Sequence, residues 1–139
     1  MGELTKQTTI SATVARIFKY AADPHNAPSY VSAISRIISG PEGTPTLGQT
    51  WQAEANFLGR LVNVTVRLAE LVEPQLVRFV LEGEPQSIMT LHLAQGDDPS
   101  QSRVSLTLEV PSVPTILLTG LMGTMLAGDT ERLKRIMEA

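Results

Sequence analysis

The chain has 139 residues, 42% of them hydrophobic, and carries 11 basic and 14 acidic side chains for a formal charge of -3. That length fits one domain, residues 1–139, with a core of its own. The absence of cysteine excludes disulfides, thiolate metal sites and a cysteine nucleophile, and it fits a reducing, cytoplasmic setting. The basic residues form no stripe, which argues against a nucleic-acid partner.

The first residues, Met1-Gly2-Glu3-Leu4-Thr5-Lys6, contain no apolar signal core, and Lys6 breaks the myristoylation pattern. Glu3 to Ile10 reads as a Thr-rich strand. Ser11 stands at the N-cap position of a first helix, whose apolar face is Val14, Ile17, Phe18, Ala21 and Ala22. Asp23-Pro24 ends that helix, because the residue before proline is pushed out of the α region. Asn26 to Ser32 allows a second, short helix with proline in its first turn.

Ile34 to Ser39 is a strand with weak alternation, followed by the loop Gly40-Pro41-Glu42-Gly43-Thr44-Pro45. Five runs with a period of two follow. Trp51, Ala53, Ala55 and Phe57 share one face, and after the turn Leu58-Gly59-Arg60 so do Val62, Val64, Val66 and Leu68. Val77, Phe79 and Leu81, then Met89, Leu91 and Leu93, then Val104, Leu106, Leu108 and Val110 repeat the pattern. Strands joined by short turns, each oily on one side, predict an antiparallel meander wetted on one face only. The sequon at Asn63-Val64-Thr65 lies inside a strand and reads as chance.

Ser112 to Met137 is predicted as one long helix opened by Pro114 and closed by the charged run Asp129 to Arg135. Leu118, Leu121, Met122, Met125, Leu126, Leu133 and Ile136 form a broad apolar arc, with Gly120, Gly123 and Ala127 roughly opposite, beside Ile116. The uncharged stretch Val110 to Gly128 is diluted by glycine, proline and hydroxyl residues and barely reaches the roughly 20 apolar residues of a membrane span, so none is expected. A helix half without charge on any side is usually buried on both. Its glycines point to close approach of a second subunit or loop, to a flexible ligand portal, or to local looseness near Gly128. A helix and a sheet, each with one oily face, are expected to hide them against each other, an α+β arrangement.

The order strand, two helices, six strands, long helix resembles the START-like, Bet v 1-like superfamily in its polyketide cyclase/dehydrase (SRPBCC) branch. The residues that carry the likeness are Ile10-Ser11-Ala12, then Val14, Phe18 and Tyr20, then Asp23-Pro24-His25-Asn26-Ala27-Pro28-Ser29-Tyr30, with Gly48-Gln49-Thr50-Trp51 and the close of the last helix, Leu126 to Ile136. Tyr30 stands where that family often has tryptophan. The resemblance implies a helix-grip fold, a curved seven-stranded antiparallel sheet around a long C-terminal helix and an apolar cavity. It also implies lipids, polyketides, quinones or other hydrophobic small molecules as ligands. Catalysis does not follow from it.

The sequence holds no P-loop, dinucleotide fingerprint or nucleophile elbow, and its two histidines, His25 and His92, lack metal-ligand spacing. No cofactor is expected. His92 falls on an outward strand face; His25 sits in a turn, with a donor at a pocket rim as the alternative. Tyr20 and Tyr30 are the best polar handles, as packing residues or as ligand contacts. The expected ligand-binding residues are Tyr30, Trp51, Phe57, Phe79, Met89, Leu91, Leu106, Leu108, Leu118, Met122 and Met125, set against the alternative of a core packed solid. Since the inward strand faces offer no titratable group, binding is favoured over acid–base chemistry. Two other functions stay open: a cyclase/dehydrase or hydrolase acting through Tyr30 or His25, and an interaction module or homodimer using the flat back of the last helix.

Overall fold

The structure, a computed structural model, describes residues 2–57 and 59–139; Met1 and Leu58, the latter part of the expected Leu58–Arg60 turn, lie outside the described residues. The elements run β1 (Gly2–Ile10), α1 (Val14–Ala21), a 3-10 turn (Pro24–Asn26), α2 (Ala27–Tyr30), β2 (Ile34–Ser39), β3 (Thr50–Phe57), β4 (Arg60–Val72), β5 (Leu76–Glu82), β6 (Ser87–Gln95), β7 (Ser102–Val110) and α3 (Thr115–Glu138). All seven strands form one antiparallel sheet in the order β1-β7-β6-β5-β4-β3-β2. Six of them are consecutive neighbours in a meander, and the pairing of β1 with β7 brings the start of the chain beside its last strand.

The period-two faces fall as the alternation requires. Trp51, Ala53, Ala55, Val64, Val66, Leu68, Val77, Leu91, Leu93, Val104, Leu106 and Leu108 are all buried, and the hydroxyl, amide and charged residues between them face outward. A shift of register between Leu68 and Glu70 bends β4 so that Leu71, opposite Val77, returns to the inner face. Gly59, at φ 86° beside the β3–β4 turn, supplies a left-handed backbone that a side chain would strain. Gly40, at φ 148°, lies so close to the Trp51 ring that a Cβ there would collide with it.

Helix α3 lies across the hollow side of the sheet. Its buried residues are Leu118, Met122, Leu126, Asp129, Thr130, Leu133 and Met137, a stripe that returns every three or four residues. At its C-terminal end Lys134 Nζ donates to Thr9 O at 2.6 Å, Glu138 Oε2 accepts from Ser11 N at 2.8 Å, and Arg16 Nη1 donates to Met137 O at 2.8 Å. At the other end Thr115 Oγ1 accepts from Glu3 N at 3.3 Å. Both ends of the helix are therefore fastened to β1 or its immediate continuation.

Three local expectations are corrected. The N-cap of α1 is Thr13, whose Oγ1 accepts from Arg16 N at 3.3 Å; Ser11 lies two residues before it, its N–H donating to Glu138 Oε2 at 2.8 Å. The second helix is a single turn, Ala27–Tyr30, preceded by a 3-10 turn that Asp23 caps through His25 N at 3.0 Å. The long helix starts at Thr115, with Pro114 as its extended N-cap, and its buried face is narrower than the arc expected: Leu121 is 48% exposed.

Candidate functional site

Between the helices and the sheet lie two small hollows. The inner one has a cavity volume of about 40 Å³. Its roof is Pro24, Ala27, Tyr30, Val31, Ile34 and Ile37, and its floor is Val66, Val77, Phe79, Leu81, Met89, Leu91 and Leu106. The outer one, also about 40 Å³, is lined by Phe57, Val62, Val64, Leu108, Val110 and Met122, by the shared residues Leu81 and Met89, and by Asn56, Glu84 and Ser87 at its edge. A shallower depression outside it is bounded by Ser32, Asn56, Gly59, Leu121, Met122 and Met125. Each hollow exceeds the roughly 10–15 Å³ that one water needs, yet both fall far below the roughly 300 Å³ at which pockets for drug-sized ligands begin. A sizeable ligand would have to widen them.

Of the residues expected to bind ligand, Tyr30, Phe79, Met89, Leu91 and Leu106 come together around the inner hollow, and Phe57, Met89, Leu108 and Met122 around the outer one. Met125 borders the outside depression. Trp51 and Leu118 line neither hollow. Trp51 is buried beneath the loop after β2, its Nε1 donating to Pro41 O at 2.9 Å, and Leu118 packs beside Gly2. Apart from Tyr30, sequence reasoning missed the roof. The apolar spacing Ala27, Tyr30, Val31, Ile34, Ile37 was the available signal, but it crosses from a helix into a strand and belongs to no single period.

The one hydroxyl in the inner lining is engaged elsewhere. Tyr30 Oη donates to Ala21 O at 3.1 Å, its ring lies 6.2 Å from that of Tyr20 at 44°, and burial pushes its pKa upward. It stays protonated at neutral pH and faces α1. His25 is exposed, with Nε2 3.0 Å from Pro41 O, and His92 is exposed on β6. Among the described residues, no group of three or more His, Asp or Glu side chains is placed to hold a metal ion.

The roof is tied to α3 by a group the sequence did not single out. Asp129 is fully buried; its Oδ1 accepts from Ser32 N at 3.1 Å and from Arg132 Nη2, and Arg132 Nε reaches Tyr30 O at 3.4 Å. Among the described residues Asp129 Oδ2 has no hydrogen-bond partner. Burial raises the Asp129 pKa against the pull of Ser32 and Arg132. This carboxylate positions the Tyr30–Ser32 turn; it lines neither hollow. In the sequence it reads only as the first member of a charged helical run.

The architecture and the apolar interior agree with comparison to known proteins. Residues 1–138 match the family model described as polyketide cyclase / dehydrase and lipid transport. The chain belongs to that family. No protein with a curated description matches it. Among solved structures, a START superfamily protein from Mycobacterium smegmatis superposes with a TM-score of 0.77 at 14% identity, covering 99% of this chain and 98% of that one. The major latex-like protein 151 from Panax ginseng gives 0.72 at 16% identity, covering 99% and 98%. The Aha1 dimer from Colwellia psychrerythraea gives 0.69 at 16%, covering 99% and 97%. At these identities the likeness is one of fold. Like the chains it resembles, this polyketide cyclase/dehydrase and lipid transport family member is α+β, with its long last helix held in the curve of the sheet. Among the described residues no helix is long and apolar enough to cross a membrane.

Proposed function

We propose that the protein binds a hydrophobic small molecule between the sheet and the helices. The observation that carries this reading is the lining of the inner hollow: thirteen residues, every one apolar apart from a tyrosine whose hydroxyl is bonded to Ala21 O. Such a surface recognises shape and apolar area and offers no titratable group to a reacting atom. Met89 and Met122, in the walls, can change rotamer to admit a guest. The test is a panel of straight-chain alcohols, sterols, quinones and polycyclic aromatics, read by thermal unfolding and by native mass spectrometry of retained ligand. A ligand at a hundred times its Kd should stabilise the protein by about 2.7 kcal/mol. If no member raises the Tm and the purified protein retains nothing, the reading fails.

A second reading rests on the outward side of α3. Ile116 is 89% exposed, Leu117 52% and Leu121 48%, and a Cβ added at Gly120 or Gly123 would meet nothing within 4 Å. An uncharged helix face of that kind suits packing against a second copy of the chain. Sedimentation velocity of Gly123→Arg against wild type tests it: the variant should be monomeric at concentrations where wild type is a dimer. A wild-type protein that is monomeric throughout would end this reading.

A further inference from the structure

The two hollows are consecutive along the strands. On β4, Val66 lines the inner one and Val64 and Val62 the outer; on β6, Leu91 the inner, Met89 both and Ser87 the outer; on β7, Leu106 the inner and Leu108 and Val110 the outer. The register places Leu91 opposite Leu106 and Met89 opposite Leu108, so the hollows form one furrow interrupted by Met89 and Leu81. From Leu91 to Ser87 the furrow runs about 13 Å at roughly 3.3 Å per residue. Its chemistry changes along that line. The inner end is apolar apart from Tyr30, whose hydroxyl is bonded to Ala21 O, whereas Asn56, Glu84 and Ser87 occur only at the outer end.

We infer that the site takes one elongated, uncharged amphiphile of the long-chain alcohol class, tail toward Leu91 and Leu106, hydroxyl at Ser87 and Asn56; this rests on the ligand-binding reading above. A chain needs the Met89 and Leu81 side chains to swing aside so that the two small hollows join, and a modest widening along that one line. A fused-ring molecule must part the roof from the sheet, and overpacking a well-filled interior is costly. Asn56, exposed at the rim, has its Oδ1 accepting from Gly59 N at 3.0 Å, a bond that does not use its NH2 donors, and the Ser87 hydroxyl can donate or accept. Among the described residues no Lys or Arg lines either hollow, while Glu84 stands at the rim. A carboxylate head would enter without a cation and beside a like charge.

Isothermal titration of straight-chain alcohols from octanol to hexadecanol tests the inference on the wild-type chain. Each added CH2 should tighten binding about fourfold until the tail reaches the inner end, after which affinity levels off. The carboxylate of the best-fitting length should bind at least tenfold more weakly at neutral pH. Ala27→Leu, which adds bulk to the roof of the inner hollow, should bring the plateau to shorter chains. A sterol or polycyclic aromatic that binds as tightly as the best alcohol, an affinity independent of chain length, or a carboxylate that matches the alcohol would each overturn the inference and leave the binding function standing. Silence across the whole panel would remove both.

Discussion

In α3 the half from Asp129 to Glu138 is joined to β1, to α1 and to the turn after α2 by side chains of both signs, whereas the half from Thr115 to Gly128 meets the body along one narrow row, Leu118, Met122 and Leu126. The Asp129–Glu138 half has an ordinary amphipathic pattern, and apart from the buried Asp129 its covered face is the one its charges leave over. The second is uncharged on every side, so composition gives no hint of which side is covered. Burial there was decided by what stands opposite: β1 and the outer hollow on one side, open space at Gly120 and Gly123 on the other. An apolar face and a buried face are different properties, and only a neighbouring element turns one into the other.

That contrast can be broken most forcefully at Leu133, which is fully buried in the tied half. Leu133→Ala should cost about 2–5 kcal/mol, read as a fall in urea midpoint at unchanged slope. A smaller loss is expected for Asp129→Ala, about 1–3 kcal/mol, because Ser32 N–H and the Arg132 guanidinium lose their acceptor. The carboxyl itself carries a pH signature. Its folded pKa is raised by burial, so the folded state holds the proton more tightly than the unfolded chain. The associated stability is full below the unfolded pKa and is lost as pH rises through the folded one. Wild type should therefore gain on Asp129→Asn as pH falls from neutrality toward the ordinary carboxylate range, in paired urea titrations; a constant difference would show that the carboxyl does not titrate abnormally.

The loose half should respond in the opposite direction. Gly120→Ala and Gly123→Ala add a methyl where nothing lies within 4 Å, and each should raise stability by about 0.8–1.0 kcal/mol through helix propensity alone, measured by thermal unfolding. A loss at either position would reveal a surface covered in solution. Ile116→Ala, at 89% exposure, should change stability by no more than about 0.5 kcal/mol. These last two measurements sharpen the comparison, since equal responses along the whole helix would erase it.

Much of this was legible in the residues. The inward sets on β3 to β7 and the outward placing of His92 follow from alternation, because the pleat gives a side chain only two directions. The cap of α1 was misplaced by two residues, from Ser11 to Thr13: it is the Thr13 hydroxyl that accepts from Arg16 N, while the Ser11 N–H donates to the distant Glu138. Most of the expected site residues gather around the two hollows. Trp51 and Leu118 do not, because facing inward says nothing about whether the space ahead is already taken by a loop or a first strand. Asp129 was unreadable as a buried group, for its burial depends on a turn 97 residues away in the chain.

The sequence by itself determined the elements, their order and the oily side of each strand, because those follow from periodicity and from steric rules acting within a few residues. Which residues of α3 are covered, where the interior stays open and how the roof is tied down were decided only when distant segments met. Packing and the satisfaction of buried polar groups depend on neighbours that no local pattern names.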